Sequence, residues 1–313
     1  MKNSFIFCLN AVTPTFLIMC VGYLCKRIGI VTRDMVRSFN KIIFNAFFPV
    51  MLFYNIYNSD MAGENTGKLI LFIIMGVLAE ILISIPVARR TVKDPAKIGT
   101  VVQGMFRANT VIVGLPIAME LLGDVDLGPV VIAYALSVPM FNIMSVITLQ
   151  MFNGQQTDGL SMLKNILKNP LVIAAIAAFT FKALKLTLPS PLLSTVRSMS
   201  QAASPVMLFL VGAFFSFDDF GNDTMAVAVA TAFRLVVFPA LFLTVGMLMG
   251  FRGAEFVALI VIFASSNSTS SFSMAQQLGG DSQLAGKIVV ITNALCPAAF
   301  FIWSYLFKKL GAF

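Results

Sequence analysis

Residues 104–116 read GMFRANTVIVGLP, so an arginine, an asparagine, a threonine, a glycine and a proline fall together inside an otherwise apolar run. Pro116 removes one helical hydrogen bond and its ring crowds a carbonyl of the preceding turn, while Gly114 eases the resulting bend. Lipid cannot satisfy backbone groups freed by such a break, so they must face protein or a water-filled cavity. The stretch therefore predicts a broken membrane helix beside a polar site, with a kink that serves packing alone as the alternative.

A second interruption is predicted at residues 265–273, which read SSNSTSSFS. Eight of these nine side chains carry a hydroxyl or an amide. Polar groups of this kind join membrane helices by hydrogen bonds when they follow one face. Here they point in nearly every direction around a helix, so we expect an unwound or cavity-lining segment rather than a packing seam.

The composition makes lipid the main solvent of the chain. Hydrophobic residues make up 58% of its 313 residues and charged residues 12%, whereas a soluble domain carries about 25% charged residues. An apolar stretch of about 20 residues crosses a bilayer as a helix. The sequence therefore predicts an all-α membrane protein with ten transmembrane helices, over residues 4–25, 36–57, 68–88, 97–122, 128–151, 165–185, 192–216, 224–249, 254–279 and 285–307.

The two halves of the chain resemble each other. The segment PVMLF occurs at residues 49–53 and again 156 residues later, and residues 118–127 match residues 275–284 at almost the same offset. These matches predict one five-helix repeat over residues 1–156 and a second over residues 157–313. Because five is an odd number of spans, the second copy enters the membrane from the opposite side. Broken helices 4 and 9 then occupy corresponding positions of two inverted repeats, which is the pattern that marks a transport site.

Three charged residues fall inside apolar runs, namely Glu80 in span 3, Arg107 in span 4 and Arg234 in span 8. Each is costly in hydrocarbon and should face protein or water. Arg107 suits a substrate carboxylate through bidentate hydrogen bonds, with permanent pairing to Glu80 as the alternative. Glu80 is also the candidate for ion coupling, and Arg234 could instead extend its side chain to the membrane interface. The other candidates for substrate binding belong to the two broken helices: Asn109, Thr110, Gly114, Pro116, Ser266, Asn267, Ser268 and Ser270.

Several kinds of site are disfavoured by the residue inventory. The chain has no histidine, and none of its four cysteines forms a CxxC pair, so we expect no metal site and no cofactor. No aspartate lies in the middle of a span and no serine has an evident base, so an enzyme is not expected. The net charge of +8 lies in short loops between apolar runs, where it indicates orientation rather than nucleic-acid binding. First-half charges place both termini outside the cytoplasm, and second-half charges conflict with that assignment.

The motif Asn-Thr-x-x-x-Gly-x-Pro at residues 109–116 is similar to a signature of the auxin efflux carrier family, which includes plant auxin carriers and bacterial malate-type permeases. Residues 40–49 (NKIIFNAFFP), 168–170 (KNP) and 275–285 (AQQLGGDSQLA) support the resemblance. It covers essentially the whole chain and favours the compact prokaryotic members. The resemblance implies a scaffold domain of spans 1, 2, 6 and 7 and a transport domain of spans 3–5 and 8–10. Helices 4 and 9 would cross at the site, as in NhaA-type antiporters and bile-acid symporters.

The residues and the resemblance together predict a secondary active transporter. It would move a small organic anion, a carboxylate, by elevator-like alternating access, as a symporter or a uniporter. The expected location is the cell membrane (inner or plasma), crossed many times. The expected partners are the small organic anion and membrane lipid, with Na+ and H+ as alternative coupling ions and a homodimer left open. A channel and a non-transporting membrane receptor for a small organic acid are the competing functions.

Overall fold

A computed structural model describes the chain over residues 2–58, 67–110, 114, 118, 121–122, 128–152, 168, 170–214 and 223–313. Every regular element within these ranges is helical, which confirms the all-α prediction. The helices are α1 (Lys2–Arg27), α2 (Arg33–Tyr57), α3 (Gly67–Thr91), α4 (Pro95–Phe106), α5 (Gly128–Met151), α6 (Pro170–Ala183), α7 (Ser190–Phe214), α8 (Thr224–Leu248), α9 (Gly253–Ala264), α10 (Ser270–Gln277) and α11 (Ser282–Lys309).

The surface of these helices is apolar. In the described part of the chain, five helices are long and apolar enough to cross a bilayer, namely α2, α3, α5, α8 and α11. Large apolar side chains stay exposed on them, such as Leu82 at 70% and Leu248 at 82%. A surface of this kind is stable against lipid and not against water. The chain is therefore an integral membrane protein.

Helices α2 and α8 each contain a π-helical turn just before a proline. The turns are Ile43–Phe47 and Phe233–Val237, and Pro49 and Pro239 lie at the start of the α-helical segments that follow. A π turn adds a residue to one turn and so relieves the crowding between a proline ring and the carbonyl before it. The π turn of α8 contains Arg234, whose side chain is fully buried.

Helices α1 and α7 pack with their backbones in contact at two glycines. A Cβ atom on Gly22 would overlap the carbonyl oxygen of Phe209, and one on Gly212 would overlap that of Met19. Close approach through small residues is a general means of packing helices in membranes, where dispersion contacts replace the hydrophobic effect.

We predict that Gly212→Ala lowers the melting temperature of the detergent-solubilised protein, because the methyl group must push α1 away from α7. Overpacking of this kind costs about 1–3 kcal/mol. Gly67→Ala is the matched control, since a Cβ at Gly67 meets nothing within 4 Å. Equal melting temperatures for the two variants would show that the α1–α7 contact adapts freely.

The chain leaves helical geometry at both predicted interruptions. Helix α4 ends at Phe106 and Arg107 is extended, with φ −79° and ψ 107°. Helix α9 ends at Ala264 and Ser265 is extended, with φ −73° and ψ 159°. Every residue from Phe256 to Ala264 is buried, so α9 runs through the centre of the protein and is apolar on all sides. The chain after Thr110 lies largely outside the described residues.

Candidate functional site

The two interruptions meet and form a short antiparallel bridge between Ala108 and Asn267. The Asn109 backbone N–H donates to the Ser266 carbonyl at 2.8 Å, and the Ser268 N–H donates to the Arg107 carbonyl at 3.2 Å. Each broken segment thereby supplies partners for backbone groups that the other has freed, as buried backbone requires.

The Asn267 side chain caps the end of α4. Its Nδ2 lies 3.2, 3.1 and 3.1 Å from the carbonyl oxygens of Gln103, Gly104 and Arg107. Three acceptors around one amide fix its orientation, so the nitrogen must face α4. Asn267 therefore acts on the backbone of the crossing and does not line the pocket described below.

Arg234 caps both α4 and α9. Its Nη1 donates to the carbonyl of Phe106 at 2.9 Å and lies 3.4 Å from that of Met105. Its Nε and Nη2 donate to the carbonyls of Ser265 and Ile262 at 2.8 and 2.6 Å. Together with Asn267, Arg234 supplies donors for the last four carbonyls of α4, which an isolated helix leaves unpaired. Its positive charge also opposes the negative ends of two helix dipoles.

The charge of Arg234 is balanced by Glu80 on α3. Glu80 Oε1 lies 3.4 Å from Arg234 Nη1, and both side chains are completely buried. Glu80 Oε2 is buried and accepts no hydrogen bond from the described residues. The structure thus pairs Glu80 with Arg234 and not with Arg107, and the interface-reaching alternative for Arg234 is wrong.

A pocket opens beside the crossing, between α2, α5 and the two interruptions. Its cavity volume is about 40 Å³, enough for a few water molecules. The polar side chains that line it are Asn55, Arg107, Asn109, Thr110, Asn142, Ser268 and Ser270. Five of these seven are residues that the sequence predicts for substrate binding, and they come from both broken helices.

Arg107 supplies the positive charge of this pocket and is 3% exposed. Its Nη2 donates to Asn142 Oδ1 at 2.5 Å and to Ser270 Oγ at 2.7 Å, and Nη1 contacts the Met274 sulfur. The Phe48 ring lies 5.8 Å from the guanidinium carbon. None of these partners carries a charge, and no carboxylate in the described part of the chain forms an ion pair with Arg107. A buried cation without an anion is costly, so the site favours an anionic ligand.

Two further donors in the pocket have no partner. Asn109 Nδ2 and Thr110 Oγ1 are buried and form no hydrogen bond with the residues that the structure describes. Buried polar groups without partners are rare and call for an unmodelled ligand or water. Asn109 and Asn267 occupy corresponding positions in the two interruptions, yet Asn267 caps backbone while the amide of Asn109 stays available.

The remaining wall of the pocket is apolar. It consists of Phe48, Met51, Leu52, Ala108, Val138 and Phe141. A mainly apolar cavity with a few convergent polar groups is the usual form of a small-molecule site.

The other predicted site residues lie nearby without lining the pocket. Ser266 donates to Asn293 Oδ1 at 2.9 Å. Gly114 packs against α9, where a Cβ would lie 2.5 Å from Val261 Cγ1, and Glu80 contacts Arg234. Pro116 lies outside the described residues.

Sequence reasoning missed Asn142 and Asn55, which α5 and α2 bring to the pocket. Each is a single amide within an apolar helix. The criterion that selected the charged residues, a polar group at membrane depth, would have found them had it been extended to amides.

A network of charges joins the starts of three helices. Asp223, just before α8, accepts from Lys97 of α4 at 2.6 Å and from Lys287 of α11 at 2.7 Å. Asp281 lies 3.9 Å from Lys97. Burial alone would raise the pKa of Asp223, but the hydrogen bonds from Lys287 and Lys97 outweigh it and hold that pKa below its usual range.

This network predicts an acid-sensitive contribution to stability. Because the pKa of Asp223 is lower in the folded protein, the carboxylate stabilises the fold above its unfolded pKa of about 4. The contribution is lost as the pH falls through the lower folded value. Asp223→Asn should therefore melt below the wild type at neutral pH, and the difference should shrink in acid below about pH 4.

Melting curves from neutral pH to about pH 3 test this expectation. Asp34→Asn is the control, because Asp34 is exposed and lies 3.7 Å from an equally exposed Arg37. A difference between wild type and Asp223→Asn that stays constant over the whole range would contradict a charge-based role.

Comparison with known proteins gives matches along nearly the whole chain. A family profile described as "Membrane transport protein" matches residues 7–162 and again residues 159–304. An uncharacterized transporter of Methanothermobacter thermautotrophicus is 20% identical over 298 residues, which cover 94% of this chain and 97% of the relative. An uncharacterized transporter of Methanocaldococcus jannaschii is 22% identical over 312 residues, which cover 95% and 98%.

Proposed function

Since this chain belongs to the membrane transport protein family of auxin efflux carriers, we propose that it is a secondary active transporter for a small organic carboxylate. The family assignment agrees with the resemblance found in the sequence. The protein is a membrane transporter, and the substrate, the elevator-like alternating access and the location in the cell membrane belong to the proposal.

The observation that carries the proposal is the unbalanced charge of the pocket. Arg107, Asn109 and Thr110 present a guanidinium, an amide and a hydroxyl, and the last two have no partner among the described residues. All three can donate hydrogen bonds to a carboxylate. The pocket also receives Ser268 and Ser270 from the start of α10, where the positive end of the helix dipole favours an anion.

The proposed architecture has ten spans in two inverted repeats, with a scaffold of spans 1, 2, 6 and 7. Two successive matches of the family profile support a duplicated chain. Contacts between helix ends support the alternation of the spans: Lys97, Asp223 and Lys287 meet at the starts of spans 4, 8 and 10. At the opposite ends, the Lys68 Nζ contacts the carbonyl of Met249.

Glu80 is the proposed site of ion coupling, with H+ and Na+ as alternatives. One of its carboxylate oxygens faces Arg234 and the other accepts no hydrogen bond from the described residues. The second oxygen is therefore where a proton or a cation would bind. A non-transporting receptor would also bind the anion, and a channel would pass it, so a transport assay must distinguish the three.

We predict that Asn109→Ala abolishes counterflow while the melting temperature stays near that of the wild type, because the side chain of Asn109 has no partner to lose in the empty protein. The assay is uptake of radiolabelled acetate, butyrate, succinate or indole-3-acetate into proteoliposomes preloaded with the same unlabelled acid. Asn45→Ala is the control, since Asn45 is an exposed asparagine that contacts only the carbonyl of Lys41.

Saturable counterflow by the wild type would distinguish a carrier from a channel, and its absence with retained binding would indicate a receptor. Unchanged counterflow in Asn109→Ala would remove Asn109 from the site.

A further inference from the structure

The pocket has an asymmetric distribution of charge that bears on which carboxylate it binds, an inference that rests on the proposed transport of a carboxylate. Arg107 is the single charged side chain among its lining residues. From this we infer that the substrate is a short monocarboxylate with an apolar body, and that dicarboxylates are excluded.

The polar groups of the pocket converge on one end of such a ligand. Arg107 is tied to Asn142 and Ser270 by hydrogen bonds of 2.5 and 2.7 Å, and Asn109 directly follows the bridge at Ala108. One guanidinium can pair with one carboxylate in a bidentate manner. Asn109 Nδ2 and Thr110 Oγ1 are available to complete its hydrogen bonding.

The apolar wall would meet the rest of the ligand. Phe48, Leu52 and Phe141 are 1–3% exposed and provide no hydrogen-bond donor from their side chains. An alkyl group gains favourable burial against them. A second carboxylate placed there would lose its hydration without gaining a cation, which is strongly unfavourable.

The size of the cavity limits the ligand further. A cavity volume of about 40 Å³ corresponds to about three or four water molecules. A carboxylate with one to three further carbon atoms is of this order, whereas long-chain or polycyclic acids require the pocket to widen. Acetate, propionate and butyrate are therefore the preferred probes.

Matched pairs of acids with equal carbon number test the inference directly. We expect propionate and butyrate to raise the melting temperature of the purified wild-type protein and to compete in counterflow. Malonate and succinate should need at least tenfold higher concentrations. Octanoate should compete more weakly than butyrate.

A substitution in the apolar wall provides the complementary test. Met51→Lys adds a second cation to the pocket, so succinate should then compete better than butyrate, which reverses the order of the wild type. Val138→Met is the control, since it alters the wall without adding charge and should keep the wild-type order.

The outcomes separate this inference from the proposed function. Succinate binding equal to or tighter than butyrate binding in the wild type, with both lost in Arg107→Gln, would overturn the monocarboxylate inference and leave the carboxylate site intact. No binding of any acid, or binding that is equal in wild type and Arg107→Gln, would overturn the proposed site itself.

Discussion

Replacing Arg234 with glutamine should cause the largest loss of stability of any single substitution considered for this protein. The change removes the donors for four carbonyls at the ends of α4 and α9 and leaves Glu80 as a buried carboxylate without its cation. Breaking a buried ion pair from one side costs about 3–5 kcal/mol, a large part of the 5–15 kcal/mol that stabilises a typical domain. We expect little folded protein and a melting temperature far below that of the wild type.

Glu80→Gln should be much milder than Arg234→Gln. In that variant Arg234 keeps its carbonyl acceptors, so only the balancing charge is lost. The double variant should regain part of the stability of Arg234→Gln, because it restores charge neutrality while the carbonyls remain without donors. Arg234→Lys should fall between wild type and Arg234→Gln, since one ammonium group cannot reach both helix ends as a planar guanidinium does.

Arg252→Gln is the matched control for these variants. Arg252 also donates to two backbone carbonyls, those of Met247 and Phe251, at 2.8 and 2.7 Å, but it lies at the exposed end of α8. Its loss should change the melting temperature little. If Glu80→Gln were as damaging as Arg234→Gln and the double variant recovered fully, the ion pair alone would account for the effect and the capping role would be refuted.

The fold could be predicted from the sequence where the signals are local. Apolar runs reveal helices because every backbone group in lipid must be paired within its own segment. The interruptions at Arg107 and Ser265 were also predictable, since polar residues concentrated at membrane depth need a special environment. The resemblance to the auxin efflux carrier family depended on the same residues, which explains why the family assignment was correct.

The partners of the buried charges could not be predicted in the same way. Glu80 and Arg234 lie 154 positions apart in the chain, and periodicity contains no information about which helices meet. The sequence therefore left Arg107 and Arg234 with similar alternatives, whereas the structure gives them different roles. Arg234 has an anion and backbone acceptors, and Arg107 has only uncharged partners in the described part of the chain.

The two candidate roles of Asn109 and Asn267 were also indistinguishable in the sequence. Both are asparagines at corresponding positions of the interruptions, and both were predicted to bind substrate. The difference arises because the Asn267 amide meets three carbonyls of α4, while Asn109 Nδ2 meets none. Such asymmetry depends on how α4 and α9 terminate in three dimensions.

Arg107→Gln should have the opposite effect to Arg234→Gln: a nearly unchanged melting temperature and a large loss of anion binding. The buried guanidinium has no carboxylate partner in the described structure, so the charge contributes nothing to stability that glutamine must replace. Glutamine can keep one hydrogen bond to Asn142 or Ser270. Hydrogen bonds to a charged group contribute about 1.5–3 kcal/mol, so the affinity for butyrate should fall by about 10- to 100-fold.

Arg107→Lys separates charge from geometry. A lysine keeps the positive charge but not the planar pair of donors, so it should retain part of the affinity that Arg107→Gln loses. Asn142→Ala should weaken binding less than Arg107→Gln, because it removes an orienting partner at 2.5 Å and leaves the charge in place. Isothermal titration with butyrate on purified, folded variants measures all three.

A double-mutant cycle with Glu80 decides between substrate binding and structural pairing for Arg107. Glu80 contacts Arg234 rather than Arg107, so the stability effects of Arg107→Gln and Glu80→Gln should add within about 0.5 kcal/mol. If Arg107→Gln and Glu80→Gln each lowered the melting temperature and the double variant restored it, the two residues would form a structural ion pair in solution. Because such a pair would supply the anion that Arg107 lacks here, that result would remove the physical reason for a carboxylate substrate.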